Sequence, residues 1–195
     1  MLRIEIRTGG EIAAFLDPVA RLRIQVFRDF PYLYDGTPGY EEEYLQTYLR
    51  SADSLVVLAF DGDRVVGAST GLPLAHETEE FHRPFLANGL DPADYFYFGE
   101  SVLERPYRGR GLGVRFFQER ESHARRLGGF GYTCFCAVER PVEHPMRPPD
   151  YLPLDRFWEK RGYRKDPALA TTFSWRDVGH AEETDKPLTF WLKAL

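Results

Sequence analysis

Hydrophobic positions along this chain switch several times between a spacing of two and a spacing of three to four, and that switching orders its elements. Leu2 to Arg7 alternates apolar and charged side chains, which predicts a half-buried first strand. Thr8-Gly9-Gly10-Glu11 has the form of a helix start, with Thr8 or a glycine at the cap and Glu11 in the first turn. Apolar positions continue through Phe15, Leu16, Val19, Leu22, Ile24, Val26 and Phe27, with Pro18 as a break or a second start. A short helix is predicted from Glu41 to Tyr48, its run Glu41 to Glu43 reading as a solvated face. The runs Ser54 to Phe60 and Arg64 to Thr70 enclose Asp61-Gly62-Asp63 and predict a β-hairpin. A short helix is expected around Thr78 to Leu86, and Tyr95 to Leu103, aromatic and β-branched, predicts a strand. Apolar Leu112, Phe116, Phe117, Ala124 and Leu127 predict an amphipathic helix from Val114 to Leu127. Gly131 to Val138 reads as a further strand. The five prolines within Glu139 to Pro153 then force an irregular segment, a lid or an interface arm. Leu154 to Arg161 predicts a helix stopped at Gly162, and Leu169 to Trp175 and Leu188 to Leu195 predict two closing strands.

The resulting order is β-α-α-β-β-(α)-β-α-β-α-β-β, an α/β chain read as one domain over residues 1–195. A composition of 43% hydrophobic and 28% charged residues is ordinary for a soluble globular protein and changes nothing in that reading. The formal net charge of −5 does change it, because it argues against a general nucleic-acid binder. No apolar run approaches the ~20 residues that cross a bilayer. The N-terminal segment Met1 to Arg7 alternates charge with apolar side chains instead of forming a signal-peptide core. A cytoplasmic protein without membrane or nucleic-acid partners is therefore expected. Cys134 and Cys136 lie two apart in a predicted strand, on one sheet face, and read as packed reduced thiols. The five histidines show no ligand spacing with them, so no metal is expected.

The chemistry concentrates in Arg105 to Val114, where Gly109, Gly111 and Gly113 join the Tyr95–Leu103 strand to the following helix. Alternating glycines permit a tight bend and leave no Cβ between backbone N–H groups and a ligand. The first N–H groups of a helix lack internal partners, and the helix dipole favours an anion beside them. Arg108 and Arg110 add cationic donors at the rim. These features describe a phosphate or pyrophosphate site, with a plain glycine-rich turn as the bland alternative. A P-loop would need Lys-Ser or Lys-Thr after the last glycine, where Val114-Arg115 stands. A dinucleotide fingerprint would need G-x-G-x-x-G spacing early in a βαβ unit.

Arg108-x-x-Gly111-x-Gly113 has the R/Q-x-x-G-x-G/A spacing of the GNAT acetyltransferase superfamily, which this stretch resembles. Pro106 to Gly113 is similar to that family's Tyr-Arg-Gly-x-Gly-Ile/Leu-Gly run. Ser101-Val102-Leu103 ahead of Pro106 is close to its apolar-x-Val-x-Pro run. Phe157 to Tyr163 resembles its C-terminal Tyr-Glu-Lys-x-Gly-Phe motif. The resemblance covers most of the chain and implies the GNAT fold: a mixed central sheet of about seven strands, splayed at its fourth and fifth strands and flanked by helices.

The resemblance further implies acetyl-CoA as co-substrate and direct acetyl transfer to the primary amine of a small-molecule or peptide acceptor. Backbone N–H groups of Gly109, Arg110, Gly111, Leu112, Gly113 and Val114 would hold the pyrophosphate, reinforced by the Arg108 and Arg110 side chains. The edge Ser101, Val102 and Leu103 would pair with the pantetheine arm, one N–H, that of Leu103, donating to the acyl carbonyl. Glu100 is the candidate base, with a carboxylate paired to an arginine as its alternative reading. The family's usual acid, a tyrosine, is replaced here by Trp158, which leaves Tyr163 as the candidate acid and Tyr151 as a second substitute. The segment Phe30 to Tyr40 is aromatic and turn-forming, and either packs as an Ω-type loop or lines a cleft. Tyr32, Tyr34 and Asp35 within it, with Glu41 to Glu43, would suit a cationic amine. A catalytically silent acyl-CoA sensor or protein-interaction module of the same fold is the alternative reading. Phe190-Trp191-Leu192 offers a strand through which two copies could pair as a homodimer.

Overall fold

Alternation in Leu2–Thr8 (β1) and the apolar runs Leu55–Asp61 (β2) and Arg64–Pro73 (β3) produce an antiparallel meander in the computed structural model, which describes Met1–Leu195. Between β1 and β2 the chain makes a 3₁₀ segment, Gly9–Phe15, then helices α1 (Leu16–Phe27) and α2 (Pro38–Arg50). The Glu11 carboxylate accepts from the Thr8 N–H at 3.4 Å, as the Thr8–Glu11 spacing predicts. Pro18 stands in the first turn of α1, where its missing N–H costs nothing, so it marks a second start. Thr37 and Pro38 begin α2 three residues before Glu41, with the Thr37 Oγ1 accepting from the Tyr40 N–H at 3.5 Å.

After β3 come α3 (Glu79–Ala87), β4 (Tyr95–Tyr97), β5 (Ser101–Leu103), α4 (Leu112–Leu127) and β6 (Tyr132–Val138). Helix α5 (Asp155–Glu159) and the long hairpin β7 (Arg164–Arg176) and β8 (Glu183–Ala194) finish the chain. The hairpin strands exceed the predicted ones because their outer ends carry mostly exposed polar residues, which an apolar count misses. One sheet runs in the order β1-β2-β3-β4-β6-β8-β7, with β5 paired only to β3. All pairings are antiparallel except β4 with β6. The sheet has eight strands where about seven were expected, because the stretch Tyr95–Leu103 is broken in two. No helix is long and apolar enough to cross a membrane.

Each sheet face carries its own core. Leu22, Leu45 and Tyr48 pack with Tyr97, Cys136 and Phe190 on the α1/α2 face. Phe96, Phe98, Phe116, Phe117 and Tyr163 pack on the α4 face. Cys134 and Cys136 are free, buried and on the same face, as their spacing requires. The pairing of copies through Phe190-Trp191-Leu192 is corrected: β8 lies between β6 and β7, so its backbone is already paired on both sides. The outer edges of the sheet belong to β1 and β7.

Candidate active site

Between Tyr97 and Ser101 the chain spends three residues, Phe98, Gly99 and Glu100, where β3 spends two, Thr70 and Gly71. The extra residue is a β-bulge. Thr70 serves both Gly99 and Glu100: its carbonyl accepts from the Gly99 N–H at 3.2 Å, and its N–H donates to the Glu100 carbonyl at 3.1 Å. The bulge reverses the alternation of faces. Phe96 and Phe98 point toward α4, and strict alternation would send Glu100 after them. Instead Ser101 meets Arg120 on the α4 side, while Glu100 and Val102 face α1 and α2. Gly99 is required here, because a Cβ would lie 1.9 Å from the Tyr48 hydroxyl and 2.6 Å from Thr70 Oγ1.

The bulge also opens the sheet. The last bond between the neighbouring parallel strands runs from the Phe98 N–H to the Cys134 carbonyl at 2.8 Å. Beyond it β5 pairs only with β3, and Phe135–Val138 of β6 pair only with β8. The register with β3 directs the Ser101 and Leu103 N–H groups into the gap, since Glu100 and Glu104 bond toward β3. The Leu103 carbonyl accepts from Arg108 Nε at 3.0 Å, which ties the turn to this edge.

At the turn, Gly109 and Gly111 adopt φ of 75° and 81°, a region unfavourable to residues with a Cβ. A Cβ on either would meet nothing within 4 Å, so the turn presents bare backbone. The N–H groups from Gly109 to Val114 have no acceptor within the chain, and Arg115 is the first to bond, to the Gly111 carbonyl at 3.1 Å. Arg110 is exposed and forms no ion pair. Arg108 lies 3.6 Å from Asp29, which also holds Arg105 at 2.8 Å. A pocket of about 400 Å³ lined by Gln25, Asp29, Arg105 and Arg108 adjoins the turn. Six free amides with two cations at a helix start can hold a pyrophosphate.

Glu100 is 3% exposed. Its Oε2 accepts from Arg23 Nη1 at 2.6 Å, and its Oε1 has no partner. Burial raises its pKa, against the opposing pull of Arg23 and with further help from Glu41. Arg23 also bonds Glu41, which is fully buried, so the expected solvated face of three glutamates is corrected to Glu42 and Glu43 alone. Burial works against the Arg23 charge, and Glu100 with its neighbours more than offsets that, so Arg23 is held protonated. Arg120, 1% exposed, donates to the Thr70 and Glu100 carbonyls at 3.2 and 3.1 Å and to Ser101 Oγ at 2.8 Å. Burial brings its pKa down to about 10, and it pins α4 to the bulge.

The predicted acceptor residues separate. Tyr32 packs tilted against Phe27 at 4.5 Å and stacks on Trp175 at 6.1 Å, and the pKa of its hydroxyl is raised by burial and by nearby Cys136 and Glu100. Tyr34 sits beside Glu41. Asp35 is a correction: Arg28 at 2.7 Å and Arg176 at 3.0 Å neutralise it on the outside of the loop. Tyr163 is likewise displaced from the role of acid. It is 1% exposed on the α4 face, and its hydroxyl is engaged by Thr133 at 2.8 Å and Glu121 at 3.1 Å. Trp158 packs against Phe135 and Trp191. Tyr151 instead stands edge-on to Phe30 at 4.7 Å, in the electrostatic neighbourhood of Tyr32.

The model of the acetyltransferase (GNAT) family matches residues 21–163, which run from the middle of α1 through the bulge and the glycine turn. The chain belongs to the GNAT acetyltransferase family. Acetyl-CoA is the acetyl donor of this family. The fold is similar to a ribosomal-protein-alanine N-acetyltransferase from Brucella melitensis (14% identity, 98% and 99% of the two chains, TM-score 0.62). It is also similar to Arabidopsis thaliana NAA60 in complex with acetyl-CoA (14%, 99% and 99%, TM-score 0.63). An acetyltransferase from Thermus thermophilus aligns over 98% and 97% at 18% identity, with TM-score 0.57. No curated protein matches the chain.

Sequence reasoning missed the buried charges Arg23 and Arg120 beside the bulge and read Glu41 as solvated. A signal existed for two of them. Arg23 follows Val19 by four, and Arg120 follows Phe116 by four, so each is a charge at an apolar helical spacing. Such a charge is either a defect or a buried ion with a task.

Proposed function

We propose that this acetyltransferase moves an acetyl group directly from acetyl-CoA to the primary amine of a small cationic acceptor. One observation carries the reading: the bulge sets a buried carboxylate with a free oxygen beside an open strand edge and a turn of partnerless amides. The amides of Gly109 to Val114 hold the pyrophosphate, with Arg108 and Arg110 adding charge. The Ser101–Leu103 edge lines up the pantetheine arm, and the Leu103 N–H donates to the acyl carbonyl, where negative charge develops.

Glu100 removes the ammonium proton through Oε1, which is the free oxygen, directly or through a water. Its raised pKa suits a base that must gain a proton near neutrality. The acceptor enters from the α1/α2 face under Tyr32 and Tyr34, where Arg23 holds Glu100 in place. Tyr151, the half-exposed tyrosine near Tyr32, supplies the proton to the departing thiolate. Thiol release from acetyl-CoA across a panel of polyamine, aminoglycoside, amino-acid and peptide amines tests the reading. Turnover restricted to cationic amines supports it, and turnover on neutral acceptors alone would sink it.

A further inference from the structure

One guanidinium serves two buried carboxylates. Arg23 Nη1 donates to Glu100 Oε2 at 2.6 Å, and Arg23 Nε donates to Glu41 Oε2. Arg23, Glu41 and Glu100 are 8%, 0% and 3% exposed, so water does little to screen their charges from one another. The rings of Tyr44 and Phe27 lie 4.2 and 5.2 Å from the guanidinium and hold it between the two acids. With both acids ionised the trio carries one negative charge in excess, and the Oε1 of each acid has no partner. Excess buried charge is unfavourable, so one of the two acids takes a proton more readily than an ordinary carboxylate does.

Their places in the fold decide which one. Glu41 stands in the first turn of α2, where the free N–H groups favour a negative charge. Glu100 lies in the bulge and belongs to no helix. The readier proton acceptor is therefore Glu100.

We propose that Glu41 is a positioning residue for the transfer: by taking a share of Arg23 it keeps Glu100 basic enough to accept the proton of the incoming amine. This inference rests on the reading of Glu100 as the base and names what tunes it. Alone with Arg23, Glu100 would form a one-to-one ion pair that resists protonation. With the guanidinium divided, burial raises the Glu100 pKa against the pull of Arg23, and Glu41 adds to the rise. In the step itself an N–H bond of the acceptor ammonium breaks and its electron pair stays on nitrogen. The proton goes to Glu100 Oε1, directly or through a water. The neutral amine then attacks the thioester carbonyl, its second proton is balanced by the thiolate leaving as thiol, and Glu100 returns its proton to solvent.

The groups facing Glu100 are Arg23 from α1, Tyr32 from the loop after it, and Glu41, Tyr44 and Tyr48 from α2. Thr70 of β3, Glu77 beyond β3 and Arg120 of α4 complete the set. Of the acids among them, Glu41 alone shares the arginine of Glu100.

The test is an NMR titration, without substrates, of protein labelled at its glutamate carboxyl carbons, with the Glu100 signal assigned by its loss in Glu100→Gln. In the wild type Glu100 should titrate above the ordinary 4.5. Glu41→Gln keeps the shape and an oxygen for Arg23 Nε but removes the charge. Its Glu100 should titrate lower by about one pH unit, a roughly tenfold loss of proton affinity. The acidic limb of kcat/KM for the amine should move down with it, and the alkaline plateau should fall about threefold to tenfold, because a weaker base transfers the proton more slowly. A wild-type Glu100 that titrates at or below 4.5, or one that Glu41→Gln does not move, would overturn the proposal. So would a Glu41→Gln enzyme that loses rate equally at every pH, which is what a merely structural role produces. The wild-type titration can overturn the proposal even if the variant does not fold. An acidic limb that persists in Glu100→Gln would instead overturn the base reading, while the titration, read without substrates, still judges the shared arginine.

Discussion

Glu100 and Arg23 meet at 2.6 Å through Oε2 and Nη1, which leaves Glu100 Oε1 as the oxygen free to take a proton. In the proposed reaction the arginine is thus a positioning residue and the glutamate the base that it holds in one orientation. Removing Arg23 leaves Glu41 and Glu100 buried without a cation, a loss of about 3–5 kcal/mol for a broken buried pair. Arg23→Ala should lower the melting temperature sharply, and denaturant unfolding measures the loss. Arg23→Ala as stable as wild type would contradict the pairing.

The bulge predicts a coupled pair. Gly99→Ala drives a methyl into the Tyr48 hydroxyl and should cost about 1–3 kcal/mol from overpacking. Tyr48→Phe removes the atom in the way, so the double variant should lose less than the two single losses added. Strict additivity in a double-mutant cycle would mean that Gly99 does not sit against Tyr48.

Much of the fold was legible in residue order. The hairpin around Gly62, the helix after Gly113 and the free amides of the turn all follow from local rules of turns and helix ends. The bulge did not. Tyr95 to Leu103 reads as an unbroken strand, and only Gly99 within it hints at an extra residue, because a glycine inside a strand marks a bulge or a close approach. Without that hint the alternation assigns Glu100 to the wrong face. Burial of Glu41 was hidden for a related reason, since it precedes two exposed glutamates and its cation comes from another helix. Tyr163 carried a motif match, yet what a motif residue touches depends on the strand packed against it. Here that is Thr133 of β6.

Two tyrosines are separable by activity. Tyr163→Phe removes hydrogen bonds to Thr133 and Glu121 in the core and should cost about 1–2 kcal/mol of stability with little change in kcat. Glu121 keeps Lys193 at 2.8 Å in that variant. Tyr151→Phe should leave stability nearly unchanged and lower kcat, most of all at high pH, where solvent is the poorer source of the thiolate's proton. Parallel melting curves and steady-state rates check both. The reverse pattern would return the acid role to Tyr163.

Stability should fall as pH rises through neutrality because of Glu77. Burial raises its pKa from an ordinary 4.5 to about 8, so the folded chain binds this proton more tightly than the unfolded chain does. Its contribution is complete below pH 4.5 and is lost as pH climbs through about 8, with a slope of up to about 1.4 kcal/mol per pH unit between those values. Glu77→Gln should flatten the wild-type decline in melting temperature between pH 6 and 9. An unchanged decline in the variant would assign the effect to another group.

The central claim is that the bulge delivers a base and the glycine turn delivers the cofactor, and one paired measurement tests it. Thiol release from acetyl-CoA and acetyl-CoA binding by calorimetry are compared in wild type, Glu100→Gln and Gly111→Val. Glu100→Gln should bind acetyl-CoA normally and lose about 10²–10⁴ in kcat, the usual contribution of a positioned base. Gly111→Val, forced against a φ of 81°, should lose binding and turnover together. Full turnover in Glu100→Gln, or undiminished binding in Gly111→Val, would contradict the account.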